Sequence, residues 1–172
     1  MNARLPIAAV VVSATALVSI ALHEVYVGTA YLDSGSIWTL GYGSTKGVKE
    51  GDKITPERAL MRLNKEIDDE YAKGLKSCIK VPLHQHEFDA LVSLAYNAGT
   101  GAVCRELAPL FNKALTDADY AKACAYITDG PGGDSPGWRA TVKGKDCRVR
   151  ANNCYGLVIR RANERAMCEG NG

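Results

Sequence analysis

The sequence predicts an α+β fold that is mostly helical, with a small antiparallel sheet near its N-terminus and a hydrophobic helix before that sheet. Three observations carry the prediction. Leu5 to Leu22 is an eighteen-residue run without a charge. Residues 23 to 45 are rich in Gly, Tyr and Thr, with β-like runs at Trp38-Thr39-Leu40 and Tyr42 broken by Gly35, Gly41 and Gly43. Beyond Thr55, apolar residues recur at the spacing of a helix with one buried face.

The first element divides the chain into residues 1–22, an N-terminal segment, and 23–172, a single domain of ordinary size. Arg4 precedes the apolar run, and a basic flank before such a run directs the downstream chain out of the cytoplasm. The run reads as a cleaved signal peptide, with Ser19-Ile20-Ala21 a small-x-small site. It also reads as a permanent anchor, or as a weak anchor that inserts and later leaves. Eight of its eighteen residues are Ala, Ser or Thr, which contribute little to insertion and make the inserted state marginal. A buried core helix is disfavoured because the run is apolar on all faces.

The helices lie beyond the sheet. Thr55-Pro56-Glu57 starts one, with a capping hydroxyl, Pro at the first position and an acid in the first turn. Leu60, Leu63, Ile67 and Tyr71 continue it to about Leu75, with Gly74 near its end, after the polar turn Lys46 to Lys53. Val81-Pro82-Leu83 is extended. Gln85 to Ala98 is a strongly apolar helix stopped by Gly99. Asp117 to Ile127 is another, 129–138 is a loop, and Tyr155 to Cys168 closes the chain with Leu157, Ile159 and Ala162 expected inside.

Composition bounds the function. A net charge of +2 gives no case for nucleic acid. From Arg139 to Arg165, however, eight basic residues face two acids, a balance that suits either an anionic cell wall or a solvated face. Six cysteines, all after residue 77 and none in a CxxC pair, favour disulfides in an oxidising compartment over a metal ribbon. His84 and His86 are two apart and would face different sides of a helix, so no metal site and no cofactor are expected. His23, beside Glu24, either tunes that carboxyl or marks a membrane interface.

Glu24, Asp33 and Thr39 are the candidate catalytic residues. Two carboxyls can split a glycosidic bond if one is protonated, to donate to the leaving oxygen, and the other is ionised, to orient water; a Thr hydroxyl can hold that water. Spacing alone permits this chemistry without establishing it.

The pattern Glu24-x8-Asp33-x5-Thr39, with Ala30-Tyr31, Gly35 and Thr39-x-Gly41-Tyr42-Gly43-x-Thr45, resembles the active-site segment of phage lysozymes of glycoside hydrolase family 24. The stretch from Leu83 to Ala102 resembles the family's central helix, with Gln85 and Asn97-Ala98-Gly99 included. Gly156-Leu157-Val158-x-Arg160-Arg161-x-x-Glu164 is similar to its C-terminal helix. The resemblance covers residues 23 to about 170. It departs at Val25, where the family has Gly after the catalytic Glu.

The resemblance implies a lysozyme-like domain and a muramidase. Its substrate would be the β-1,4 bond between N-acetylmuramic acid and N-acetylglucosamine in peptidoglycan, cut with inversion. Glu24 would be the general acid, Asp33 the water-positioning carboxylate, Thr39 its helper, and Tyr31 and Asn97 substrate-binding residues. It also implies disulfides Cys78–Cys104, Cys124–Cys168 and Cys147–Cys154. The position of Glu24 two residues past the apolar run resembles signal-anchor-release endolysins. In these the segment tethers a monomeric enzyme to the host inner membrane, domain in the periplasm, until release completes the site. A lytic transglycosylase acting on the same bond, a lysozyme secreted on a cleaved signal and an inactive wall-binding protein are the alternatives.

Overall fold

The computed structural model describes residues 3–33, 35–130, 133 and 137–171. Residues 1 and 2 of the N-terminal segment, and 131, 132 and 134–136 of the expected 129–138 loop, lie outside the described residues.

The apolar run does not form one helix. Helix α1 covers only Ala14–His23. Ser13, in an extended conformation, stops the helix from starting earlier by capping Ala16 with its side chain at 3.2 Å. Before it, Leu5 exchanges backbone hydrogen bonds with Leu83 at 2.9 Å. Among the described residues, no helix is long and apolar enough to cross a membrane. The disfavoured core role is partly realised, because Val10, Ala16 and Ile20 are fully buried in the domain.

Strands β1 (Val27–Leu32) and β2 (Trp38–Gly41) form the predicted antiparallel sheet, pairing Val27 with Gly41, Tyr31 with Thr39 and Leu32 with Trp38 across an irregular register. Helix α2 (Pro56–Glu66) starts on the expected Thr55 cap. It runs through a π-helical segment (Ile67–Ala72) into α3 (Lys73–Cys78). Ile67 and Ala72 are five apart, the spacing of the wider π turn, and both are buried. Gly74 does not end this course. It lies in α3 against Thr100, whose Cγ2 a Cβ at 74 would meet at 2.6 Å.

The centre is α4 (Gln85–Ala98), closed by Gly99 at φ 87°. Phe88, Ala90, Leu91, Val92, Leu94 and Ala95 are all fully buried, so other elements cover α4 nearly all round. Around it lie α5 (Thr100–Glu106), α6 (Ala108–Asn112), α7 (Asp117–Asp129), a hairpin of β3 (Thr141–Val142) and β4 (Lys145–Asp146), and α8 (Tyr155–Cys168). Helices α5 and α6 and the hairpin were not anticipated. Each is shorter than two full periods of its own pattern, so periodicity could not reveal it.

The inner face of α8 differs from the prediction. Ile159 is half exposed and Ala162 exposed, whereas Arg160, Arg161, Glu164 and Cys168 are buried. Disulfides join Cys78 to Cys104 (α3 to α5), Cys124 to Cys168 (α7 to α8) and Cys147 to Cys154 across a short loop.

Candidate active site

Glu24 follows the last residue of α1 and is the helix's C-terminal cap, with φ −106° and ψ 135°. The extended backbone turns its carboxyl toward the domain. Its Oε1 accepts from Arg160 Nη1 on α8 at 3.1 Å. The Arg160 side chain is 7% exposed against 27% for that of Glu24, so the guanidinium lies beneath a carboxyl that solvent still reaches. A guanidinium here also offsets the partial negative charge at the end of α1.

A glycine just past β2 lies beside this carboxyl, and the one that ends β2 packs against α2. Gly43, at φ 88°, would place a Cβ 3.8 Å from Glu24 Oε2 and 3.4 Å from the Tyr96 hydroxyl. Gly41, at φ 67°, would bring one within 3.0 Å of Ala59 Cβ. Both have backbones that L side chains rarely adopt. Tyr96 donates to the Tyr42 carbonyl at 2.7 Å, and burial, then the charge of Glu24, push its phenol up, so it remains a donor. Its ring lies 5.1 Å from that of Tyr71. His23 is pushed down by burial and then by Arg160, which keeps it neutral near pH 7. Val25, where the family's Gly was expected, is 82% exposed.

Asp33 follows β1 and organises the turn of the hairpin. Its Oδ1 accepts from the backbone N–H of Gly35 at 2.8 Å and of Ile37 at 2.9 Å, which fixes the carboxylate's direction. Thr39 is buried in β2, and its hydroxyl donates to the Ile37 carbonyl at 3.0 Å. Asp33 and Thr39 are thus gathered on the two polar groups of Ile37. Among the described residues no hydrogen bond or ion pair joins either of them to Glu24. Glu24 lies at the base of the hairpin and Asp33 at its turn.

Tyr31 is the cross-strand partner of Thr39 and is 41% exposed. Asn97 is exposed near the end of α4, and its Oδ1 accepts from Arg161 Nη2 at 2.7 Å. The rings of His84 and His86 correct the expectation that they diverge. His84 caps α4 from outside the helix, so the two stack with centroids 5.2 Å apart. Among the described residues no cluster of His, Cys, Asp or Glu is arranged to hold a metal. A cleft of about 800 Å³ lies elsewhere, lined by Arg4, His84, His86, Glu87, Asp117 and Tyr120 among others, none of them a candidate catalytic residue.

Arg160 and Tyr96 carried no expected role. The Arg160-Arg161-x-x-Glu164 spacing was the available signal: charges three and four apart fall on one helix face.

The family model described as "Phage lysozyme" matches residues 21–164. A probable prophage lysozyme of Escherichia coli K12 is 36% identical over 147 residues, covering 80% of this chain and 73% of that one. A SAR-endolysin of Escherichia phage 933W is 33% identical over 144 residues, covering 81% and 74%. Among solved structures, the endolysin from Escherichia coli O157:H7 phage FAHEc1 superposes with a TM-score of 0.68 at 34% identity, covering 93% of this chain and 94% of that one.

Proposed function

This chain belongs to the phage lysozyme family and is a glycoside hydrolase of the lysozyme type, and from that premise we propose that it is an endolysin hydrolysing the β-1,4 bond between N-acetylmuramic acid and N-acetylglucosamine in peptidoglycan. Glu24 protonates the glycosidic oxygen as the bond to the muramic acid anomeric carbon breaks. Asp33, held by two backbone N–H groups, receives a proton from the attacking water, and Thr39 holds that water. The hydroxyl adds to the face opposite the leaving group, giving inversion. Tyr31, beside Thr39 on the exposed edge of the sheet, contacts the sugar.

The observation that carries this reading is the set of supports around Glu24: Arg160 beneath it, glycine beside it, and a hydrogen-bonded Tyr96 next to that glycine. Turbidity loss of peptidoglycan suspensions tests it. Glu24→Gln is expected to slow lysis about 10²–10⁴-fold with the fold retained; undiminished activity would sink the assignment. Mass spectrometry of the products checks the chemistry. Reducing muramic acid ends mean hydrolysis, and anhydro ends mean transglycosylation.

We further propose that residues 5–22 act as a signal anchor that later leaves the inner membrane, so that the enzyme works in the periplasm. The naming of the phage 933W relative as a SAR-endolysin supports this, as does the polar stitching of the segment's docked form. Arg4 contacts Glu87 and Asp117, Ser13 donates to Asp89 at 2.6 Å, and Gln85 donates to the Val11 carbonyl at 2.6 Å. A segment in the bilayer can make none of these bonds, and Glu24 would be held at the surface instead of over Arg160. Lengthening the run with Leu should keep the enzyme tethered and delay lysis. Lysis at the native rate from a tethered enzyme would contradict the reading.

A further inference from the structure

Arg160 does not belong to Glu24 alone. Its Nε lies 3.3 Å from Glu164 Oε1, and the same oxygen accepts from Ser93 Oγ of α4 at 2.8 Å. Glu164 Oε2 lies 2.7 Å from Arg161 Nε, close enough for an ion pair though misaligned for a hydrogen bond. Glu164 and Arg161 are each 1% exposed and Arg160 is 6% exposed. One carboxylate in the core therefore anchors two guanidiniums, and one of those extends to Glu24.

This cluster is a poor way to gain stability. Burial pushes Glu164 up and Arg161 down, against their mutual attraction. Arg160 Nη2 and Arg161 Nη1 are buried without a hydrogen-bond partner among the described residues. Buried ion pairs of this kind often stabilise less than apolar packing, so their presence beside the reacting carboxyl calls for another reason.

Charge counting supplies one. With Glu24 ionised, two arginines face two carboxylates. With Glu24 protonated, as the acid step requires, Glu164 is the cluster's remaining carboxylate. We propose that Glu164 is a positioning residue for the lysozyme reaction, holding Arg160 through a second carboxylate so that the guanidinium stays under Glu24 in both of that residue's protonation states. The proposal rests on Glu24 being the general acid. The other titratable groups near Glu24 are His23 on α1, Tyr96 on α4 and Tyr71 in the π-helical segment, with Glu66 acting on the same two tyrosines. Among the described residues none of these is hydrogen-bonded or ion-paired to Arg160, whose side-chain partners are Glu24 and Glu164.

The test is the pH profile of kcat/KM for the full chain, whose alkaline limb reports the acid in the free enzyme. Glu164→Gln leaves two buried guanidiniums in a cluster whose remaining carboxylate is Glu24, bonded to Arg160, which favours the ionised form of Glu24. The alkaline limb should move down by about one pH unit. Adding Arg161→Met removes the excess positive charge and should bring the limb back toward that of the unmodified enzyme. A role in folding alone would lower kcat at every pH and leave the limb in place, and that result overturns the proposal. If Glu164→Gln does not fold by circular dichroism, Arg161→Met alone carries the test. With Glu164 retained, the limb should rise, and an unmoved limb is again a refutation. Glu24→Gln measured alongside separates the two ideas. If it is inactive while the limb stays fixed, only the positioning role falls; if it is active, the acid assignment falls first.

Discussion

The two ends of the chain both pack on α4, and they invert the usual relation between hydropathy and burial. The N-terminal run is the most apolar stretch of the sequence, yet Val11 is 65% exposed, Val18 53% and Leu22 82%. Helix α8 is rich in charge, yet it buries Arg160, Arg161 and Glu164. Apolar residues left in water gain nothing from the folded state, so packing accounts for Val10, Ala16 and Ile20 but not for the run's outer face, which the proposed residence in lipid would account for. The charges of α8 answer a demand inside it, because they reach Glu24. The attachments differ accordingly. Helix α8 is tied by a disulfide, whereas the N-terminal run holds by side-chain contacts and one backbone bridge that can all be undone.

Breaking the covalent tie should have the largest effect. Cys124 and Cys168 are 44 apart in sequence, and a loop of that size is worth about 4 kcal/mol by chain entropy. Replacing both by Ala should lower the denaturation midpoint by a corresponding amount. Because α8 carries Arg160, activity should fall at temperatures where the protein is still mostly folded. A midpoint within error of the native value would mean that the buried cluster alone holds α8.

At the other end three carboxylates, Glu87, Asp89 and Asp117, hold the seam, and Glu87 is the most deeply buried of them. Glu87 is buried, accepts from Arg4 Nε and Nη2, and returns to cap its own helix through the His84 N–H at 2.8 Å. Glu87→Gln retains an oxygen for the cap but removes the buried one of the two charges that Arg4 pairs with, leaving exposed Asp117. It should cost about 1–3 kcal/mol, read as faster protease cleavage within residues 4–13, with α8 equally protected. Equal loosening of both ends would show that the seam and α8 form one cooperative unit.

How much of this was legible varies with the physical signal. Helix α4 was readable to the residue, because Gly99 has the positive φ that favours glycine and the run before it is rich in apolar residues from Phe88 to Ala95. The sheet was readable from its glycines. The inner face of α8 was misread because the rule that places Leu and Ile inside also places Arg and Glu outside, and that rule fails where charges are paired. Glu24 and Asp33 could be named from a family pattern, but the Arg160 partner of Glu24 is 136 residues away, beyond the reach of any local spacing. The N-terminal run misled for a related reason. Its uniform apolarity hides which residues the domain uses, and only Ser13 and Pro6 hint that no continuous helix spans it.

The smallest effect on the folded enzyme should come from Val11→Lys, and it sharpens the comparison most. The side chain is already mostly in water, while the residue's bond to Gln85 uses the backbone carbonyl. The melting temperature of the purified protein should therefore change by the equivalent of no more than about 0.5 kcal/mol, and its activity on isolated peptidoglycan should hold. In a bilayer the same residue lies near the middle of the eighteen-residue run, where a lysine costs about 3 kcal/mol. A marginal anchor has no such reserve. The membrane-bound fraction should collapse and lysis from within the cell should fail, although the enzyme itself is intact. An unchanged membrane fraction would mean that the exposed apolar residues do not serve insertion, and the inversion between the two ends would then need another cause.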